Sequence, residues 1–256
     1  MSVLLETQKL TKAFGGVLAN NEVDIKIKNG TITALIGPNG SGKTTFINQV
    51  SGVMKPTSGC IVFDGRDITK LEGYQYARLG IGRTFQRINL FNSLSVVENV
   101  LAARLKFFTS SFLNVFLTTS RLKKEEEKQF EYSMKLLKLL GLEKEAFECP
   151  TSLPYGKRRA LEIARALALE PELLLLDEPA AGMTKDEFKG IMQIMLLLKE
   201  RGITMLLVEH TMEFVRGVSD WVYVLNFGRV ICEGKFEDIE KDPNVIEAYL
   251  GEEDMQ

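Results

Sequence analysis

The sequence predicts an α/β protein, in which a core of buried strands covered by helices is preceded by an antiparallel β layer and interrupted by a helical block. Three observations lead there. Leu173-Leu174-Leu175-Leu176 and Met205-Leu206-Leu207-Val208 are short, unbroken apolar runs, the pattern of strands buried on both faces in a parallel sheet. The stretch from Lys185 to Arg201 is predicted to be a helix joining them, which makes a βαβ unit. Near the N-terminus, Val23-Asp24-Ile25-Lys26-Ile27-Lys28 alternates apolar with polar, as a half-exposed antiparallel strand does.

The elements run in order along the chain. Asn29-Gly30 predicts a hairpin turn after the alternating residues. Thr31 to Ile36 is a β-rich strand running into a glycine-rich loop, and Thr44 to Ser51 is the helix after that loop. Cys60 to Phe63 with Asp64-Gly65 predicts another strand and turn. Ser95-x-x-Glu98 matches a capping box that opens a helix at Val96. Between Glu125 and Leu140, Phe130, Met134, Leu137 and Leu140 recur at helical spacing and Gly141 closes the run. A further helix spans Lys157 to Leu169, stopped by Pro171. Val222 to Leu225 and Val230 to Cys232, around Asn226-Phe227-Gly228, predict a late hairpin. Asp242-Pro243 reads as an N-cap followed by proline at the first helical position. The expected organisation is one domain, with residues 1–86 and 171–256 forming the α/β core and its β layer, and residues 87–170 inserted as a helical subdomain.

Composition narrows the function. The 256 residues are 45% apolar and carry a net charge of -2, which disfavours nucleic acid as a partner, since phosphate neutralisation needs a basic face. The basic cluster Lys157-Arg158-Arg159 is expected to be a solvated helix face. Cys60, Cys149 and Cys232 are far apart and without metal-ligand spacing, which suits a reducing compartment. Met1 to Glu6 lacks the pattern of a signal peptide, and the uncharged run Phe107 to Ser120 is shorter than a membrane span requires.

The strongest motif is Gly37-Pro38-Asn39-Gly40-Ser41-Gly42-Lys43-Thr44-Thr45, a P-loop pattern lying between a strand and a helix. Glycines let backbone N–H groups turn inward, and the helix N-terminus adds its dipole, so the loop is an anion site. Lys43 is expected at the β- and γ-phosphates of ATP and Thr44 at Mg²⁺. The buried run 173–176 ends in Asp177-Glu178. An Asp there can orient water on Mg²⁺, and the following Glu can act as general base on the attacking water. His210, the single histidine, comes after the second buried run, where ligands bind in parallel α/β sheets. It is expected to position the γ-phosphate and water.

With these, Leu153-Pro154-Tyr155-Gly156-Lys157-Arg158-Arg159 and Glu162-Ile163-Ala164-Arg165-Ala166-Leu167 resemble the signature motif and helix of ABC ATPases. The resemblance covers nearly the whole chain. It implies that Gln86, in Arg83-Thr84-Phe85-Gln86, is a glutamine touching Mg²⁺ and reporting the γ-phosphate to a transporter. It also implies that Phe14 stacks on adenine, with core packing as the alternative for that ring. Within ABC proteins the chain is most similar to ATP-binding subunits of branched-chain amino-acid importers. The supporting segments are Gly82 to Gln86, Val97 to Val100, Pro179 to Gly182, Val208 to His210, and Asp242 to Gly251. Urea or amide importers and lipopolysaccharide-export ATPases share parts of this pattern.

The family resemblance further implies a second ATPase subunit, with each ATP between one P-loop and the partner's signature residues, here Leu153, Pro154, Tyr155, Gly156 and Lys157. It implies integral membrane permease subunits, an extracytoplasmic solute-binding protein, and peripheral attachment at the cytoplasmic face of the plasma membrane. Leu90, Phe91, Phe107 and Phe108 are candidates for the docking patch, with packing inside the insert as the alternative for the last two. Three positions depart from the family, and one of them, Tyr155, stands where a glycine is usual. Pro154 stands where a serine usually offers its hydroxyl to the partner's ATP, leaving Gly156 and the following N–H groups as expected donors. Thr184 stands where an Asp often ends the loop after Glu178. A soluble ABC ATPase of DNA repair or translation would carry a coiled-coil insert or a second ATPase unit. A GTPase would carry Asn-Lys-x-Asp. The sequence has none of these.

Overall fold

The computed structural model describes residues 2–84, 88–108 and 120–253. The long alternating segment forms two strands, β1 (Val3–Phe14) and β2 (Val17–Lys28), joined at Gly15-Gly16. With β4 (Ser58–Phe63) and β5 (Arg66–Asp67) they make an antiparallel sheet of order β2-β1-β4-β5. Alternate residues of β2, among them Val23, Ile25 and Ile27, are fully buried while Asp24, Lys26 and Lys28 face out. The period seen in the sequence is therefore the two faces of this sheet.

Asn29-Gly30 does not form the expected hairpin. It carries the chain from the antiparallel sheet into a second sheet, with Gly30 at φ 69°. The reason lies in the next strand. β3 (Ile32–Ile36) is buried at every residue, and such a strand needs cover on both faces, which the half-exposed layer cannot supply. The second sheet has order β10-β9-β3-β8-β7-β6, built from β6 (Ile81–Arg83), β7 (Leu173–Asp177), β8 (Thr204–Val208), β9 (Trp221–Asn226) and β10 (Arg229–Gly234). Five of these strands pair in parallel and β10 closes one edge antiparallel to β9.

The unbroken apolar runs divide between two cores. Ile32, Ala34, Ile36, Leu174, Leu176, Met205 and Leu207 pack on one face of the sheet, among helices. Leu35, Leu173, Leu175, Leu206 and Val208 pack on the other, with α1 (Lys43–Val50) and the antiparallel sheet. Each fully buried Leu stabilises by about 1.5–3 kcal/mol relative to exposure. Neither face of the run can be polar.

Between β6 and β7 lie α3 (Val96–Arg104), α4 (Ser120–Leu139) and α5 (Tyr155–Leu167). The short α2 (Gly73–Arg78), which the periodicity did not disclose, precedes β6. The capping box at Ser95 is present, with Glu98 Oε2 accepting the Ser95 N–H at 2.7 Å. α4 begins five residues before the apolar period does, and of that period Leu137 and Leu140 are buried while Phe130 is exposed and stacks on Phe147. Arg104 fastens this region. Its buried guanidinium donates to Gln129 Oε1 at 2.8 Å, to the Ala168 carbonyl at 2.9 Å and to Glu170 at 2.6 Å, and lies 3.7 Å and 3.9 Å from the rings of Phe107 and Tyr132. Thus α3, α4 and the end of α5 share one cation.

The basic cluster at the start of α5 is only partly a solvated face. Lys157 pairs with Glu145, Arg158 donates to the Leu153 carbonyl at 3.0 Å, and Arg159 is wholly buried, bonded to Glu162 at 2.6 Å. Lys157 and Arg158 remain partly exposed, but Arg159 points to the packed side of the helix, so its guanidinium must carry its own counter-charge. The chain continues through α6 (Lys185–Glu200), α7 (Met212–Val218), α8 (Phe236–Ile239) and α9 (Pro243–Glu253). No described helix is long and apolar enough to cross a membrane.

Arg104→Lys keeps the charge but loses the planar fork and both ring contacts. It should lower the unfolding free energy by about 1–3 kcal/mol in urea titration. A loss below ~0.5 kcal/mol would show that the fork contributes nothing specific.

Candidate phosphate-binding and hydrolytic site

The register of the parallel sheet sets the site. Leu35 of β3 lies opposite Val208 of β8, and Val208 lies opposite Asp177 of β7. The strands therefore end together, and their C-terminal continuations emerge at one edge: the glycine loop, Glu178, and Glu209-His210. The Glu178 N–H donates to the Val208 carbonyl at 2.9 Å and the Glu209 N–H to the Leu35 carbonyl at 3.4 Å, so the last rungs reach into the loops themselves.

Gly37, Gly40 and Gly42 all have positive φ. At Gly37 a Cβ would fall 2.0 Å from the Leu225 carbonyl oxygen, and at Gly42 it would fall 2.2 Å from that of Ala19 and 2.7 Å from Asn20 Nδ2. The loop is thus pressed between the β9–β10 hairpin and β2, where only glycine fits. Asn20, fully buried on β2, donates to the Gly42 carbonyl at 3.2 Å and accepts from Gln49 of α1 at 2.7 Å. Among its contacts, Lys43 Nζ donates to the carbonyls of Gly37 at 2.7 Å and Pro38 at 2.8 Å and lies 3.5 Å from Ser41 Oγ. Asn39 and Gly40 form the exposed tip, Thr44 is exposed on the first turn of α1, and Thr45 is half-buried.

Asp177 is 5% exposed, and its carboxylate pairs with Arg83 at 3.1 Å. Burial pushes its carboxyl above the usual range, the Arg83 guanidinium partly offsets this, and nearby Glu178 adds to it. Arg83 also donates to Asn48 at 2.7 Å and Ser51 at 2.8 Å, both on or just after α1. The sequence reading gave Arg83 no role. Its signal was a cation ending a short apolar strand beside the P-loop helix.

Glu178 is half-buried and adopts φ 47°, a left-handed conformation that costs a non-glycine residue about 1 kcal/mol or more. Its carbonyl accepts from Ala181 N–H at 3.3 Å and from buried Arg159 at 3.4 Å. The side chain of His210 is more than half exposed at the same edge. Phe14 is 49% exposed, with Lys12 Nζ 5.4 Å from its ring centroid, so the core-packing alternative for this ring does not hold. Gln86 lies outside the described residues.

At the signature segment Leu153 is buried, Pro154 is exposed and caps α5 without a side-chain hydrogen bond, and Tyr155 and Lys157 are half-buried. Gly156 departs from expectation. Its N–H, counted as a donor for the partner's nucleotide, donates within this chain to Glu187 Oε1 at 2.7 Å. Glu187 also closes a capping box with Thr184 at the start of α6, and these bonds from Gly156 and Thr184 hold its carboxyl below the usual range. Thr184 thus serves here as a helix cap.

The oxygen donors Thr44 and Asp177 are of the hard type that Mg²⁺ takes. Among the described residues no group of three or more His, Cys, Asp or Glu could hold a metal alone.

Comparison with known proteins agrees with this geometry. The sequence matches the ABC transporter family over residues 20–181. The chain belongs to the ABC transporter ATP-binding family. Residues 229–255 match a second family, the branched-chain amino acid ATP-binding cassette transporter. The chain is 40% identical over 250 residues to the high-affinity branched-chain amino acid transport ATP-binding protein BraF of Pseudomonas aeruginosa, covering 97% of this chain and 98% of that one. Among solved structures it is similar to MJ1267, an ATP-binding cassette of an ABC transporter in its ADP conformation, with a TM-score of 0.86, 34% identity, and coverage of 98% and 100%. It is also similar to the dimeric post-hydrolysis state of the cassette MJ0796 bound to ADP and Pi, with a TM-score of 0.76, 28% identity, and coverage of 91% and 99%. This cassette is accordingly an ATPase of the transporter type.

Gly42→Ala forces both a strained φ and a clash with backbone that cannot move away. It should cost at least about 2 kcal/mol in urea unfolding, where at an ordinary position Gly→Ala would stabilise by about 0.4–1 kcal/mol. A neutral or stabilising effect would contradict the tight seating of the loop.

Proposed function

We propose that this cassette hydrolyses ATP as one half of an ATPase pair and so drives import of branched-chain or closely related amino acids. One observation carries the catalytic part: the phosphate loop, the Asp177-Glu178 pair and His210 leave adjacent, in-register strands at one edge. The amino-acid part is supported by the match of residues 229–255 to the branched-chain family and by BraF. That C-terminal match favours this solute class over amide import or lipopolysaccharide export.

In this reading residues 37–45 hold the phosphates, Lys43 gives a fixed positive charge, and the exposed ring of Phe14 stacks on adenine. Thr44, Asp177 and Gln86 would hold Mg²⁺, which supplies neutralising charge to the β- and γ-phosphates. Glu178 takes the proton of the attacking water, and His210 orients that water and the γ-phosphate. The strained backbone at Glu178 supports the assignment, because such conformations cluster where geometry must be held.

The other wall of the site is a second cassette's signature segment, and Leu153 to Lys157 play that part for the partner's ATP. Residues 87–170 carry the closing motion to integral permease subunits at the cytoplasmic face of the plasma membrane. A solute-binding protein delivers the amino acid from outside. Pro154 lacks the serine hydroxyl, and the Gly156 N–H is engaged by Glu187. The site completed by this chain's signature is therefore the weaker of the two in a heterodimer.

Glu178→Gln keeps the side chain's shape and removes its basicity. Turnover should fall by about 10²–10⁴-fold with ATP still bound and a closed dimer accumulating on size-exclusion chromatography. Unchanged steady-state ATPase would refute the general-base role. Pro154→Ser in the assembled transporter should raise turnover, and identical turnover in both forms would end the weak-site reading.

A further inference from the structure

We propose that Glu209 is a positioning residue that ties the loop after Glu178 to the loop carrying His210, so that the two move as a unit. The inference rests on the proposed roles of Glu178 and His210 in hydrolysis. Glu209 directly succeeds the last residue of β8 and is fully buried. Its carboxylate is divided between two loops. Oε1 accepts the Ala180 N–H at 3.0 Å, and Oε2 accepts the N–H groups of His210 at 2.9 Å and Thr211 at 3.1 Å. The Nδ1 of His210 stands 3.8 Å from Oε2, beyond hydrogen-bond reach. Among the described residues no Lys or Arg pairs with Glu209.

A buried carboxylate without a cation is costly. Its three charge-assisted bonds to backbone N–H groups are what retain it. A residue kept only to cap the turn into α7 would need just the Oε2 arm. The Oε1 arm goes instead to Ala180, two residues beyond Glu178, across a rung where the Glu178 N–H already meets the Val208 carbonyl. Backbone and side chain therefore both cross from β8 to the 178–181 loop. A displacement of residues 179–184 by a second cassette reaches the backbone of His210 through this side chain, beside the Glu178–Val208 rung.

The test uses the assembled transporter carrying Glu209→Gln, which preserves volume but turns an NH₂ toward one arm. Glu209→Asp keeps the charge with one methylene less reach. Both should lower kcat by about 10-fold or more while KM for ATP stays within about twofold, because geometry and not binding is lost. Hydrogen exchange read by mass spectrometry should accelerate together over residues 178–184 and 208–214, with residues 37–45 unchanged. Acceleration of 208–214 alone, or a kcat that tracks only the folded fraction, would overturn the proposal. If neither variant folds, the unmodified transporter decides. Titrated with ATP, the two segments should gain protection with one midpoint, and separate midpoints would overturn the coupling. Parallel Glu178→Gln and His210→Ala measurements separate the failures. If those retain turnover, the hydrolytic reading falls, and if they lose it while Glu209→Gln does not, the tether alone falls.

Discussion

The ammonium of Lys43, bonded to the carbonyls of Gly37 and Pro38, is the contact on which the site depends. It lets a strand end in a closed loop and not an open turn. A loop curled this tightly brings its backbone against the Leu225 and Ala19 carbonyls, which removes every side chain from Gly37 and Gly42. It also makes the antiparallel layer part of the site, because β2 supplies buried Asn20 to the Gly42 carbonyl and to Gln49 on α1. The β layer, the parallel sheet and the first helix are thereby held to one another at the point where phosphate is proposed to bind.

The second constraint is register. Parallel pairing aligns Leu35, Val208 and Asp177 across three strands, and the apolar runs fix that alignment by burying alternate residues in two separate cores. A slip of one residue would exchange the cores and carry Asp177 away from Arg83. Packing of ordinary leucines thus determines where a carboxylate, a strained Glu178 and His210 stand. Glu209 extends the same logic from the strands into the loops, with a side chain in place of a rung.

Much of the fold and site was legible in the sequence, and the reasons differ by residue. Runs such as Leu173 to Leu176 and the box Ser95-x-x-Glu98 announce local geometry directly, since period and capping act within a few residues. Gly37 to Thr45 is legible because backbone chemistry demands those glycines in that order. Asn29-Gly30 misled, because a turn signal says that the chain bends but not which sheet receives it. The roles of Glu187 and Glu209 were not legible, and Arg83 showed only as a cation at the end of a short strand. Each partners a residue or loop far away in sequence or emerging from another strand, as Arg83 does with Asp177. Arg159 misled for a related reason: a cation in a basic cluster reads as solvated until the packing of α5 shows that no solvent reaches it.

The engaged Gly156 N–H and exposed Pro154 make the signature end unlike the phosphate-loop end, and they bear on turnover in an assembled pair. Nucleotide capture by the single chain should rest chiefly on the loop and not on a signature segment. Isothermal titration of ATP with Mg²⁺ into the wild-type cassette and into Lys43→Ala tests that most directly. The account predicts that the wild type binds and that the variant, still folded by circular dichroism, binds at least about 10-fold more weakly, as loss of a charge-assisted contact to phosphate requires. Equal affinity in the two proteins would contradict it.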